Sequence, residues 1–116
     1  MKLVRFGQPG QEKPGLVDAQ GQIRDLSGTI PDFTPEVMSS GFAAIRNIDP
    51  STLPAVPQGT RLGPCVPKIG HFVAVGLNYV DHAHETGSPI PEEPILFSKA
   101  PSCVVGPNDD VIIPKG

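Results

Sequence analysis

No apolar run in this sequence approaches the ~18 residues that a membrane-spanning helix needs. The opening Met1-Lys2-Leu3-Val4-Arg5-Phe6-Gly7 also lacks the apolar core of a secretory signal. No membrane partner is expected, and the expected compartment is the cytoplasm. A basic stripe is missing too: the nine Lys and Arg residues are scattered and the formal net charge is −3, which argues against a nucleic-acid partner. Cysteine is scarce. Cys65 and Cys103 form neither a CxxC pair nor a disulfide framework. In a reducing compartment the preferred expectation is two free, partly buried thiols rather than a disulfide. There is no internal repeat and no low-complexity block.

Proline and glycine are plentiful, with 15 and 13 residues among 116. That stays just below the level that signals disorder, and these residues punctuate recognisable strands. The expected class is therefore mainly β with short helices (α+β), rich in loops. Lys2–Phe6 reads as a strand with Leu3 on one face and Val4 and Phe6 on the other. Gly15–Val17 and Gln22–Leu26 flank Asp18-Ala19-Gln20-Gly21, a four-residue hairpin loop, which gives a small antiparallel meander. Thr34 then caps a helix with Pro35 at its first position, and Met38, Phe42 and Ile45 follow at helical spacing as core. Gly41 interrupts that helix, and two short helices are the other way to read it. Asp49-Pro50 repeats the cap-then-proline signature.

Four prolines between Pro54 and Pro67 make a semi-extended linker with one short strand near Arg61-Leu62. The boundary between a small β-rich N-terminal domain, residues 1–65, and a second domain, residues 66–116, is placed there. In the second, His71–Val75 is a strand, Asn78–Thr86 a helix and Ile95–Ser98 a strand. Ser102–Val105 and Asp110–Ile113 are expected as further strands. The stretch after residue 66 is too short to bury a good core unaided.

The chemistry concentrates in Gly76-Leu77-Asn78-Tyr79-Val80-Asp81-His82-Ala83-His84-Glu85-Thr86-Gly87. Here an apolar strand runs into a glycine, a capping Asn78, a helix dense in titratable groups and a glycine stop. Asp81 stands where a capping box places an acid. His82 and Glu85 are i and i+3, so their side chains can meet. A carboxylate beside an imidazole fixes its tautomer and raises its basicity, and such a pair draws a proton from water. Spacing alone leaves two readings open, this dyad and a solvated helix face rich in His and acids, and it slightly favours the second. A zinc site from His82, His84 and Glu85 is weaker, because HxH on a helix splays its ligands and no HExxH or cysteine set supports it. Glu92, Glu93, Asp109 and Asp110 read as solvated loop acids. Lys99, at a strand end, is either a surface lysine or an ammonium aimed at an anion.

Several segments in order resemble the fumarylacetoacetate hydrolase family. Gly76-Leu77-Asn78-Tyr79-Val80-Asp81-His82 with Glu85 is similar to that family's GxNYxxHxxE stretch, and Pro91 to Lys99 resembles its P-x-x-P-x-x-F-x-K segment. Val105–Asp109 and Val111–Pro114 resemble the next two elements, and the N-terminal residues resemble members labelled ureidoglycolate lyase, acylpyruvate hydrolase or diketo-acid hydrolase. The resemblance implies that residues 66–116 begin a mixed β-roll catalytic domain. It implies hydrolysis or lysis of C–C, or ureido C–N, bonds in small 2-oxo or diketo acids, with Mg²⁺, Mn²⁺ or Ca²⁺ as cofactor and a homodimer as the assembly. His82 and Glu85 inherit the water-activating role, and Lys99, Asn78 and Tyr79 the substrate-binding one. Some members carry Arg where this chain has Leu77. The family's metal ligands, an E-x-E pair and a later Asp, have no counterpart here, so no metal ligand is assigned in this chain. The expectation is that the chain is the opening portion of a longer enzyme. Two rivals stand beside it: a non-catalytic binding or dimerisation module, and an incomplete structural fragment.

Overall fold

The computed structural model describes residues 1–116, in two compact units. The first comprises Met1–Lys68 with Val105–Gly116, and the second Ile69–Val104. No helix is long and apolar enough to cross a membrane. Strands dominate and the helices are short, which is the mainly β, α+β class that composition implied.

The first unit is built on the meander. Strands β1 (Lys2–Phe6), β2 (Lys13–Val17) and β3 (Ile23–Asp25) pair antiparallel in that order. The β2–β3 ladder ends at Val17 opposite Ile23, so the loop holds one residue more than the spacing suggested. Asp18 explains the difference. Its carboxylate accepts the amides of Gln20 and Gln22, 3.0 and 2.9 Å away, and folds the loop around its own side chain. The short strand near Arg61-Leu62 is a single bridge between Phe6 and Leu62.

Helix α1 (Pro35–Ser39) begins as the sequence indicates, with Thr34 Oγ1 accepting the Val37 amide at 3.3 Å and Pro35 at the first position. It ends after five residues because Gly41 takes a left-handed φ of +64°. The Gly41 amide then reaches the Met38 carbonyl and the Phe42 amide the Val37 carbonyl, closing a Schellman stop. The interruption therefore changes the face presented. Ile45 is buried and Phe42 packs against the core, but Met38 is exposed. The core is Leu16, Leu26, Ile30, Phe33 and Ile45, bordered by Leu3, Val37, Phe42, Ile48 and Leu53. Asp49 caps a 3-10 turn over Pro50–Thr52, as its Asp-Pro signature implied.

Residues 105–116 hold no strand. Val111, Ile112 and Ile113 have no ladder partner and are 86, 87 and 88% exposed, so the expected strand at Asp110–Ile113 does not form. Asp109, expected as a solvated acid, is instead tied to Arg61. The guanidinium grips both its carboxylate oxygens at 2.7 and 2.6 Å, and also bonds Glu12 Oε1 at 2.9 Å and the Gly7 carbonyl at 3.0 Å. Arg5 grips Asp32 in the same two-pronged way, at 3.0 Å on each side. Glu12 lies between the two arginines.

The second unit pairs β4 (Phe72–Gly76) with β5 (Ile95–Lys99), antiparallel, with helix α2 (Val80–Glu85) in the connection. The expected strand at Ser102–Val105 is a 3-10 turn, Pro101–Cys103, in which Cys103 and Val104 donate back to Ala100 and Pro101. Pro101 at its first position presets the helical φ, and no neighbouring strand competes for these groups. Both cysteines are free, and both are exposed rather than partly buried.

Candidate functional site

The titratable stretch sits between a strained turn and a glycine stop. β4 ends at Gly76, and Leu77 adopts a left-handed φ of +47°. For a residue with a branched side chain that conformation costs about 1–2 kcal/mol. The reversal delays the helix. Tyr79, in extended conformation (φ −129°, ψ 135°), is the residue that precedes the first helical turn. Asn78 is therefore one residue too early to cap, no side chain caps α2, and Asp81 falls short of the capping-box position. Asp81 still lies in the first turn, where the exposed amides of a helix start favour an acid.

The stop is well made. Gly87 has φ +63°, its amide reaches the His84 carbonyl, and the Ser88 amide reaches Ala83, the same Schellman closure that ends α1. Thr86 adds bonds from its hydroxyl to the carbonyls of His82 and Ala83, at 3.0 and 3.2 Å. Ala83 is the buried residue of the helix, at 1% exposure. Asp81, His82, His84 and Glu85 all face solvent around it.

His82 and Glu85 therefore lie on one short helix at i, i+3 spacing. No hydrogen bond or ion pair joins the two side chains, since every ion pair of the structure lies in the first unit. Asn78 is exposed and Tyr79 is 74% exposed. Lys99 ends β5 opposite Phe72, at the far end of the ladder from Gly76, where the chain leaves for α2. Four residues of strand, roughly 13 Å, separate those ends, and no ion pair or hydrogen bond ties Lys99 to His82 or Glu85. The Lys99 ammonium lies instead over the Phe97 ring, 5.1 Å from its centroid. No group of three or more His, Cys, Asp or Glu gathers as a metal site.

Sequence reading missed two residues here. Leu77 gave no signal, because nothing in a leucine announces a left-handed turn. Phe97 did give one: its i, i+2 spacing from Lys99 on a strand puts both on one face.

Comparison with known proteins bears on this same segment. Residues 71–116 match the family model described as fumarylacetoacetate (FAA) hydrolase, C-terminal. Over those residues the chain is similar to that family. It is 56% identical over 117 residues to a protein named "putative hydrolase" in Burkholderia cenocepacia J2315, and 54% identical to another so named in Burkholderia multivorans. All of this chain is covered in both cases, but it spans 42% of the length of those curated relatives. Among solved structures it is similar to the fumarylacetoacetate hydrolase of Exiguobacterium antarcticum, with TM-score 0.70 and 31% identity over 96% of this chain and 39% of that one. It is likewise similar to a protein described as a "putative HpcE protein" from Mycobacterium smegmatis, with TM-score 0.74 and 29% identity over 100% of this chain and 42% of that one. The hydrolase-like match begins at His71, so β4, α2, β5 and the candidate residues all lie inside it.

Proposed function

We propose that the complete protein is a hydrolase or lyase acting on small 2-oxo or diketo acids, cleaving a C–C or ureido C–N bond, with His82 and Glu85 activating water. The observation that carries this reading is that a fumarylacetoacetate hydrolase match spans α2, on which His82 and Glu85 stand open to solvent at i, i+3 spacing. In C–C hydrolysis the His82 imidazole accepts a proton from water while Glu85 holds the ring. The hydroxide attacks the carbonyl carbon, and the bond to the neighbouring carbon breaks. Its electron pair passes to that carbon as an enolate, which takes up a proton. General-base catalysis of this kind contributes about 10²–10⁴-fold. Asn78, Tyr79 and Lys99 are assigned to the substrate, Lys99 to its carboxylate. The working form is proposed to be a cytoplasmic homodimer.

The divalent ion implied by the resemblance, Mg²⁺, Mn²⁺ or Ca²⁺, needs several oxygen donors at short range. The residues present do not supply them: Glu92 and Glu93 are exposed loop acids, and Asp109 is held by Arg61.

In the complete protein His82→Ala should lose about 10²–10⁴-fold in turnover while still binding the divalent ion by calorimetry. Retained turnover would overturn the assignment. A second reading, a non-catalytic binding or dimerisation module, is favoured by the apolar residues exposed on β4 and β5. It predicts no loss of any function in His82→Ala.

A further inference from the structure

The β4–β5 ladder places six residues on one face, as three opposed pairs. Phe97 stands opposite Ala74, and Lys99 opposite Phe72. The diagonal neighbour of Phe97 is Gly76, which pairs with Ile95. A Cβ at Gly76 would lie 3.2 Å from Phe97 Cε1 and 3.7 Å from Ile95 Cβ. The first distance is tighter than an ordinary carbon–carbon contact of about 3.5–4.0 Å. Gly76 is outside the left-handed region, so glycine serves here by leaving room rather than by allowing a turn. The room is used by the edge of the Phe97 ring.

The face of that ring carries the Lys99 ammonium, 5.1 Å from the centroid. This is within the roughly 6 Å over which a ring quadrupole attracts a cation. Lys99 has no carboxylate partner. The difference matters chemically: an ion pair would neutralise the ammonium, whereas a ring face orients it and leaves its full charge for an incoming anion.

We infer that Phe97, seated against Gly76, is a positioning residue that holds the Lys99 ammonium ready for the carboxylate of a small acid. Phe97 need not touch that acid itself. The second clause rests on the reading of Lys99 under the proposed function. The first stands on the ladder geometry alone.

The test uses the complete protein with ¹³C-labelled lysine. Ring current should displace the Lys99 Cε–Hε resonance. Phe97→Leu should return it to the position of the other lysines, Phe97→Tyr should preserve the displacement, and Gly76→Ala should reduce it. Phe97 is half exposed, so the leucine and tyrosine variants are expected to fold. An unmoved resonance in Phe97→Leu overturns the proposal. Titration with pyruvate, as a simple 2-oxo acid, probes the second clause. Phe97→Leu should weaken binding about two- to fivefold, the size of an exposed cation–π contact, Phe97→Tyr should rescue it, and Phe97→Leu should add nothing in a Lys99→Met background. Pyruvate binding untouched by Lys99→Met would overturn the substrate role of Lys99. A Lys99 resonance that moved in Phe97→Leu would still support the positioning.

Discussion

The two units of this chain use apolar residues in opposite ways. The first closes on itself: Leu16, Leu26, Ile30, Phe33 and Ile45 form one core, and every ion pair of the molecule lies in this unit. In the second, Ala83 is the buried hydrophobic residue, while Phe72, Val73, Val75, Ile95, Leu96 and Phe97 are all exposed. Successive strand residues point to opposite faces, so the exposed residues of β4 and β5 lie on both faces of their ladder. A strand that is apolar on both faces is the pattern of one covered on both sides. The candidate chemistry belongs to the unit that satisfies itself least.

The contrast is tested most severely by truncating one leucine in each unit. Leu26 is fully buried, at 0% exposure. Leu26→Ala should remove about 2–5 kcal/mol in urea unfolding. Leu96 is 64% exposed, and Leu96→Ala in this chain should stay within about 0.5 kcal/mol. Equal losses would mean that the second unit has a core after all. The next effect concerns Arg61, which holds Asp109, Glu12 and the Gly7 carbonyl together. Arg61→Ala should lower the melting temperature more than Arg24→Ala, because Arg24 pairs with one carboxylate, Asp18. It should also speed exchange of the Gly106 amide, which donates to Asp109 Oδ2 at 2.6 Å. Arg61→Lys should not restore either, since an ammonium lacks the planar fork.

Local grammar made much of this legible. Thr34-Pro35 and Asp49-Pro50 announced their caps because the capping oxygen and the fixed proline φ belong to adjacent residues. The meander followed from alternation and the Asp18 loop. Gly87 read correctly as a stop because glycine alone takes the left-handed position freely. What escaped depends on contacts distant in sequence or on strain. Asp109 looked like a solvated acid because its partner, Arg61, lies 48 residues away. Asn78 looked like a cap because a strained Leu77 cannot be read from its letter. The strands expected at Ser102–Val105 and Asp110–Ile113 had suitable composition, but a strand needs a neighbour, and composition does not supply one. At the site, helical spacing put His82 and Glu85 on one helix but could not decide whether their side chains engage.

Acid titration offers a smaller effect on the same contrast. The Arg61 hydrogen bond, with the Gly106 amide, holds the Asp109 carboxyl below its usual range. The Arg24 bond, with the loop amides of Gln22 and Gln20, does the same for Asp18. Burial pushes Glu12 upward, but the Arg61 bond, its own backbone and the two arginine charges together outweigh it, and its pKa falls. A carboxyl whose pKa is lower folded than unfolded adds stability above its unfolded value, about 4. That stability is lost as pH falls through the folded value. The first unit should therefore weaken progressively below about pH 4, and added salt should blunt the loss for its more exposed pairs. The β4–β5 ladder has no ion pair to lose, and its amide exchange, corrected for intrinsic rates, should not follow that profile. A shared acid transition would break the distinction.

The smallest effect compares two helix stops of the same design. Gly41 and Gly87 have φ of +64° and +63° and close the same pair of hydrogen bonds. Alanine at either position should cost about 1–2 kcal/mol for the left-handed backbone. At Gly41 the new Cβ would also lie 3.0 Å from Arg46 Nη2, whereas at Gly87 it meets nothing. The backbone term is thus isolated at Gly87. Its consequence should differ as well. α1 borders the core through Val37, so Gly41→Ala should lower the melting temperature of the first unit. α2 anchors little beyond Ala83, so Gly87→Ala should appear as faster exchange of the Thr86 and Ser88 amides, with the first unit's melting temperature unchanged. A global loss from Gly87→Ala would show that α2 is coupled to the core, and that the exposed helix carrying His82 and Glu85 is held more firmly than its own contacts indicate.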